Sequence, residues 1–145
     1  MPALNQEQIK EIIPHRDPFL LIDTVEEMEP GQHVVATKTL KPDEYWFAGH
    51  FPGQPVQPGV LTIEMLAQAG AVCILSVPEN RGKIALFAGI DKAKFRRQVL
   101  PGETLRLEVE IVRRKGPIGV GKATATVDGA KAASCEITFA ITDPA

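Results

Sequence analysis

Between Leu105 and Ile111 every second residue is apolar: Leu105, Leu107, Val109 and Ile111 alternate with Arg106, Glu108 and Glu110. A period of two sends successive side chains to opposite faces of an extended chain. The stretch therefore predicts an antiparallel strand buried on one side. Neighbouring segments have the same character. Lys83 to Arg97 predicts a long strand after "PENRG", and "KGPIG" predicts a turn. Val120 to Val127 is another strand, "DGA" a hairpin turn, and Ala133 to Ile141 the last strand. Nearer the N-terminus, Phe19 to Val25 and Val34 to Leu40 are two further strands flanking "EPGQ". Before them Asn5 and Gln8 predict a capping box, and the stripe Ile9, Ile12, Ile13 ends at Pro14.

One apolar run has no two-residue period. It predicts a helix from about Pro58 to Ser76, with Pro58 suited to the first turn because its missing N–H is not needed there. The helix is apolar on nearly every side, so something must wrap it. A curved antiparallel sheet does so. Six strands around one long helix make an α+β fold, expected as a single domain over residues 1–145, since no repeat, low-complexity tract or linker divides the chain.

Composition narrows the function classes. The 145 residues are 44% hydrophobic and 23% charged, enough for one core without disulfide staples. A net charge of −2 gives no positive field to steer nucleic acid. Cys73 and Cys135 lie among apolar neighbours and are expected as free, buried thiols of a reducing compartment. "MPALNQEQIKEIIP" is polar and periodic, unlike a secretory or transit segment. Val60 to Val77 approaches membrane-span length but contains Glu64 and Gln68. A charge at bilayer depth costs about 2.5–3.5 kcal/mol, so a cytoplasmic protein is expected.

Glu64 is the residue that needs explaining. It stands on the second turn of the apolar helix, four residues before Gln68, and its helical neighbours Val60, Leu61, Ala67 and Gln68 include no cation. Burial of an unpaired carboxylate raises its pKa, and a neutral carboxylic acid is a proton donor. The bland alternative is a surface glutamate on a half-exposed helix, although Ile63, Met65 and Leu66 leave little polar face for one. His50, in the loop that feeds the helix, is the natural partner. Gly49, Pro52, Gly53, Pro55 and Pro58 stiffen that loop, which suits the placing of one side chain. A histidine that only satisfies loop carbonyls is the alternative there. Taken together, an imidazole base and a neutral acid form an acid–base couple. The Gly59 N–H, at the positive end of the helix, adds a donor for a carbonyl oxygen. Such a set suits removal of a proton beside a carbonyl with loss of a β-hydroxyl.

Three segments carry a family resemblance: "PHRDPFLLID" (Pro14–Asp23), "GHFPGQPVQPGVLTIEMLAQ" (Gly49–Gln68) and "FAGIDKAKFRRQVLPGETL" (Phe87–Leu105). They resemble the FabZ-type (3R)-hydroxyacyl-[acyl-carrier-protein] dehydratases, and the resemblance runs over almost the whole chain. It implies the hot-dog fold, an antiparallel sheet wrapped around one long helix, and dehydration in type II fatty-acid synthesis without a cofactor. By position it implies His50 and Glu64 as the catalytic pair. It also implies Gly59 as the amide that binds the thioester carbonyl and Gln68 as the glutamine that supports the site. FabA-type dehydratase/isomerases resemble the same motif but carry aspartate where Glu64 stands, which favours dehydration alone. Two departures are visible: Asp17 replaces the tyrosine of a "PHRYPF" motif, and Leu86 stands where some members have a gating tyrosine. The resemblance further implies a homodimer, commonly a trimer of dimers, with His50 of one chain facing Glu64 of the other.

The remaining constellations carry less. His15, His33 and His50 are scattered without metal-ligand spacing, so no metal site is expected. "GVGKAT" lacks the glycine spacing of a phosphate loop and lies within strand alternation. Lys92, Lys94 and Arg96 alternate along one strand and are joined by Arg97. They read either as a solvated face or, through Lys94, Arg96 and Arg97, as a docking patch for an acidic acyl carrier protein. Two rival functions remain: a hot-dog thioesterase that uses a carboxylate against water, and a catalytically silent acyl-binding module.

Overall fold

The computed structural model describes residues 2–144. In chain order it contains α1 (Gln6–Lys10), β1 (Thr24–Glu29), β2 (His33–Thr39), α2 (Gly59–Leu75), a 3₁₀ turn (Pro78–Asn80), β3 (Ile84–Phe95), β4 (Thr104–Lys115), β5 (Ile118–Val127) and β6 (Ala130–Thr142). The six strands form one sheet in the order β1-β2-β4-β5-β6-β3, antiparallel throughout. Sheet curvature has local causes: bulges interrupt the register at Val25/Glu27, Phe87/Gly89, Asp91/Lys94, Ile111/Arg113 and Ala125/Thr126. The bent sheet closes around α2, which packs against all six strands. This is the hot-dog fold.

The alternation around Leu105 behaves as its period requires. Leu105, Leu107 and Val109 are buried against α2, while Arg106 and Glu110 face water. The β5–β6 turn is a two-residue hairpin in which Asp128 and Gly129 both take positive φ, 49° and 82°. That is the mirror-type turn whose twist matches the strands it joins. Asn5 and Gln8 form the expected reciprocal capping box at the start of α1, and Ile9 and Ile13 are buried beneath it. Both cysteines are free and buried, and burial pushes both thiols up to about 11. No helix among the described residues is long and apolar enough to cross a membrane.

Two boundaries differ from the sequence reading. Pro58 is the N-cap of α2, in extended geometry (φ −61°, ψ 127°), and the helix begins at Gly59. The segment expected as a strand from Phe19 pairs with β2 only from Thr24 onward. Leu20, Leu21 and Ile22 are buried all the same. Their burial comes from lying across α2, where the Gln68 side chain, rather than a neighbouring strand, takes the Leu21 N–H at 2.8 Å. Hydrophobicity alone does not distinguish these two kinds of burial.

Candidate active site

Thirteen residues of α2 are buried, from Thr62 to Leu75. Glu64 is the gap in that run, with 17% of its side chain exposed. It faces a cavity of about 240 Å³ whose wall is mostly apolar: Phe19, Ala67, Ala71, Leu86, Phe87 and Phe139. Gln68, one turn on, is 1% exposed and uses its amide fully. Its Oε1 accepts from Leu21 N, and its Nε2 donates to Phe19 O at 2.8 Å and to Glu64 Oε2 at 2.9 Å. The glutamine therefore fixes the carboxyl group and ties the N-terminal segment over it. Burial holds the Glu64 carboxyl above the ordinary carboxylate range, and the hydrogen bond from Gln68 opposes that rise only in part. A raised pKa is the direction a general acid needs.

A second titratable group shares the cavity, and the sequence reading assigned it no role. His15 Nε2 lies 3.7 Å from Glu64 Oε2. Burial, with the adjacent Arg16 guanidinium second, holds the imidazole below its usual pKa, so it is neutral near pH 7 and adds no charge beside Glu64. The only signal in the sequence was the "PHRDPF" motif itself; helical spacing around Glu64 cannot find a partner 49 residues upstream. Asp17 of the same motif is exposed and lies outside the cavity. Leu86 lines the cavity and is 51% exposed.

His50 does not line this cavity. It sits in a loop closed on itself by Val56 N–H to His50 O (2.8 Å), Phe51 N–H to Gln54 O (3.1 Å) and Gln54 N–H to Phe51 O (2.8 Å). Its Nδ1 is 2.8 Å from the Val56 carbonyl. A carbonyl can only accept, so Nδ1 carries the proton and Nε2 keeps a free lone pair. The His50–Phe51 peptide bond is cis, and the Phe51 ring stacks on the imidazole with centroids 4.1 Å apart. Upstream, the loop is pinned by a buried cation that the sequence reading also missed: Lys38 Nζ lies 2.9 Å from Glu44 and 3.7 Å from Asp23. Downstream it is pinned by Trp46 Nε1–H to Gln57 Oε1 and Gln57 N–H to Val99 O, both 2.8 Å.

Gly59 opens α2, and Pro58 supplies no side-chain cap, so the first N–H groups of the helix are left free for an acceptor. A Cβ at Gly59 would lie 2.6 Å from the Phe95 ring, which explains the glycine. Gly59, Val60, Phe95, Arg96 and Arg97 line an open groove of about 520 Å³. The three docking candidates are not equivalent. Lys94 and Arg96 share a shallow basin with Lys92, Lys122 and Lys131. Arg97 instead spends its guanidinium on Glu103 at 2.8 Å.

The geometry thus offers a buried acid, a presented imidazole and a free helix N-terminus, and comparison with known proteins gives this set its context. The FabA-like domain family model matches residues 13–136. The chain is 62% identical over 139 residues to the 3-hydroxyacyl-[acyl-carrier-protein] dehydratase FabZ of Clostridium novyi, covering 96% of this chain and 98% of that one. It is 65% identical over 136 residues to the protein of the same name from Staphylococcus aureus, covering 94% and 93%. Among solved structures, the dehydratase heterocomplex ApeI:P from Xenorhabdus doucetiae superposes with a TM-score of 0.77 at 17% identity, covering 93% of this chain and 91% of that one. A hypothetical thioesterase with coenzyme A from Streptococcus pneumoniae superposes with a TM-score of 0.63 at 16% identity, covering 82% and 84%. At such identities the two structures speak to the fold alone, whereas the sequence matches reach further: the chain belongs to the FabA-like domain family, among its FabZ 3-hydroxyacyl-[acyl-carrier-protein] dehydratases.

Proposed function

We propose that the chain converts (3R)-3-hydroxyacyl-[acyl-carrier-protein] to the trans-2-enoyl thioester and water, with Glu64 as acid and His50 as base supplied by different subunits of a homodimer. Dehydration of 3-hydroxyacyl-[acyl-carrier-protein] in fatty-acid synthesis is the activity of the family to which the chain belongs. The observation that carries the mechanism is the setting of Glu64, a carboxyl group whose pKa burial raises and which Gln68 holds against an apolar wall.

His50 Nε2 takes the C2 proton, and the electron pair of that C–H bond forms the C2–C3 double bond. The C3–O bond breaks as Glu64 gives its proton to the departing hydroxyl, which leaves as water. The Gly59 N–H takes the thioester oxygen, on which negative charge builds as C2 is deprotonated. Return of a proton from imidazolium to carboxylate resets the site. No electrons enter or leave, so the reaction needs no cofactor. Gln68 acts through Glu64, since its donors are already used within the chain.

The placement of His50 outside the Glu64 cavity supports the shared site, as does the apolar edge of β3, where Leu86, Phe87, Ile90 and Phe95 are all more than 40% exposed. Three such dimers form the assembly, each chain acting as one domain in the cytosol, where its thiols stay reduced. The decisive experiment mixes His50→Ala and Glu64→Ala proteins after partial unfolding. Each alone is at least about a hundredfold slower, the usual size of acid–base catalysis. Random reassembly makes half the dimers hybrid, each with one intact site in two, so about a quarter of wild-type activity returns by two-fold symmetry. No recovery despite proven subunit exchange sinks the shared site. Release of free thiol from a crotonyl thioester, in place of hydration, sinks the dehydratase mechanism.

A further inference from the structure

The Glu64 cavity contains one polar atom that nothing in the chain satisfies. His15 Nδ1 is buried and has no hydrogen-bond partner among the described residues. The opposite ring nitrogen, Nε2, lies 3.7 Å from Glu64 Oε2. A neutral imidazole has one proton to place, and the two choices are unequal. A proton on Nδ1 would bury a donor without an acceptor, the costlier kind of unmade hydrogen bond. On Nε2 it faces an oxygen 3.7 Å away, which a small rotation of either side chain brings within hydrogen-bond reach.

From this we infer that His15 is a positioning residue for the catalytic acid: a neutral imidazole whose Nε2–H is aimed at Glu64 Oε2 and stabilises the carboxylate formed when the acid gives up its proton.

The surroundings favour that assignment. The cavity wall contributed by β3 (Ala85, Leu86, Phe87) and β6 (Phe139) contains no charged group, and Glu64 is the only titratable residue of α2 facing it. The Arg16 guanidinium is turned to the carbonyls of Lys10, Ile13 and His15, so its charge opposes protonation of the ring without reaching the carboxyl as a partner. In the proposed dimer the partner's His50 also faces the cavity. A neutral donor suits the task better than a cation would. A lysine or an imidazolium at this distance would ionise Glu64 in the resting enzyme, whereas a neutral N–H leaves the acid protonated and strengthens as charge develops. Gln68 already holds Oε2 at 2.9 Å, so the carbonyl-type oxygen of the acid is the one facing both donors. The acidic proton then rides on the other oxygen, toward the substrate.

The inference rests on Glu64 being the acid, and its test separates the two. Selective ¹⁵N labelling of the intact enzyme reads the His15 tautomer directly. The expected spectrum shows a neutral ring protonated on Nε2 at neutral pH, and a proton on Nδ1 or an imidazolium overturns the inference without any variant. Titration of ¹³C-labelled glutamate carboxyls in His15→Leu should show the Glu64 pKa moving higher still; an unmoved Glu64 overturns it. In turnover, His15→Leu should lose about tenfold in kcat, the size of one charge-assisted hydrogen bond, with KM within about twofold and the alkaline limb displaced to higher pH. His15→Asn, which restores an N–H donor, should return to within about threefold of wild type by the same reasoning. Wild-type kcat and an unmoved alkaline limb in folded His15→Leu overturn the inference. Glu64→Gln is the control, because full activity in that variant removes the acid itself, while the carboxyl titration still reports on the His15 contact.

Discussion

The two edges of the sheet obey different rules. β1 is short and acidic, with Glu26, Glu27 and Glu29 exposed. A bulge bends it at Val25/Glu27, and paired 3.0 Å hydrogen bonds between Leu4 and Val25 cover part of its outer side. These are the devices by which a sheet edge refuses another strand. β3, at the opposite edge, is twelve residues long and has β6 on one side only. Phe87 is 42% exposed, Ile90 48% and Phe95 55%. An edge this long and apolar is a liability in a monomer. The difference teaches that the chain closes one edge for itself and leaves the other open, as the proposed homodimer requires. The same β3 edge forms part of the wall of the Glu64 cavity, so the proposed junction and the candidate acid share one strand.

The largest expected effect comes from breaking the open edge. Ile90→Lys places a charge in the proposed junction, outside the cavity lining. It should yield monomers by analytical ultracentrifugation and cost more than about a hundredfold in turnover, since each site then lacks its base. Glu27→Lys on the closed edge should leave assembly unchanged and rate within about twofold, as surface substitutions usually do. Equal behaviour of the two variants would remove the distinction between the edges.

A smaller effect sharpens the comparison along β3 itself. Lys94→Glu with Arg96→Glu should raise KM for carrier-bound substrate about tenfold and barely alter it for a pantetheine analogue, because rim charges act on association. Arg97→Glu should raise both together, since Arg97, unlike Arg96 on the same groove, is paired with Glu103 and its reversal would set two carboxylates against each other beside Gly59. If the double reversal affects both substrates equally, the basin is only a solvated face.

The smallest effect belongs to the closed edge. Asn5→Ala removes the capping box that holds α1 beside β1 and should cost about 1 kcal/mol. For a chain of this size that lowers Tm by roughly 2–4 °C, visible by calorimetry, with kcat unchanged.

What the sequence disclosed follows the range of the interactions. Alternation, capping and turn chemistry are local, so the strand at Leu105, the cap at Asn5 and the hairpin at Asp128 were legible, and wrapping of an all-apolar helix followed from its composition. Glu64 was legible as an anomaly, and Gln68 as its neighbour one turn on. The Phe19 segment was misread because burial against a helix and pairing in a sheet leave the same apolar trace. His15 and Lys38 were missed because their partners are fixed only by the folded chain. No spacing rule connects Pro14–His15 to the second turn of α2.

The make-up of the cavity wall has a consequence for when the enzyme comes into being. Its residues are drawn from the segment before β1, from α2, from β3 and, with Phe139, from the last strand of the chain. Until that last strand docks, Glu64 lacks one wall of its shelter, and the burial that raises its pKa is incomplete. A chain in which β6 has not docked should therefore have most of its helix and sheet in place before its candidate acid reaches its folded setting. The raised pKa of Glu64 is a mark of completion, and its titration would report the docking of β6 as directly as it reports catalysis.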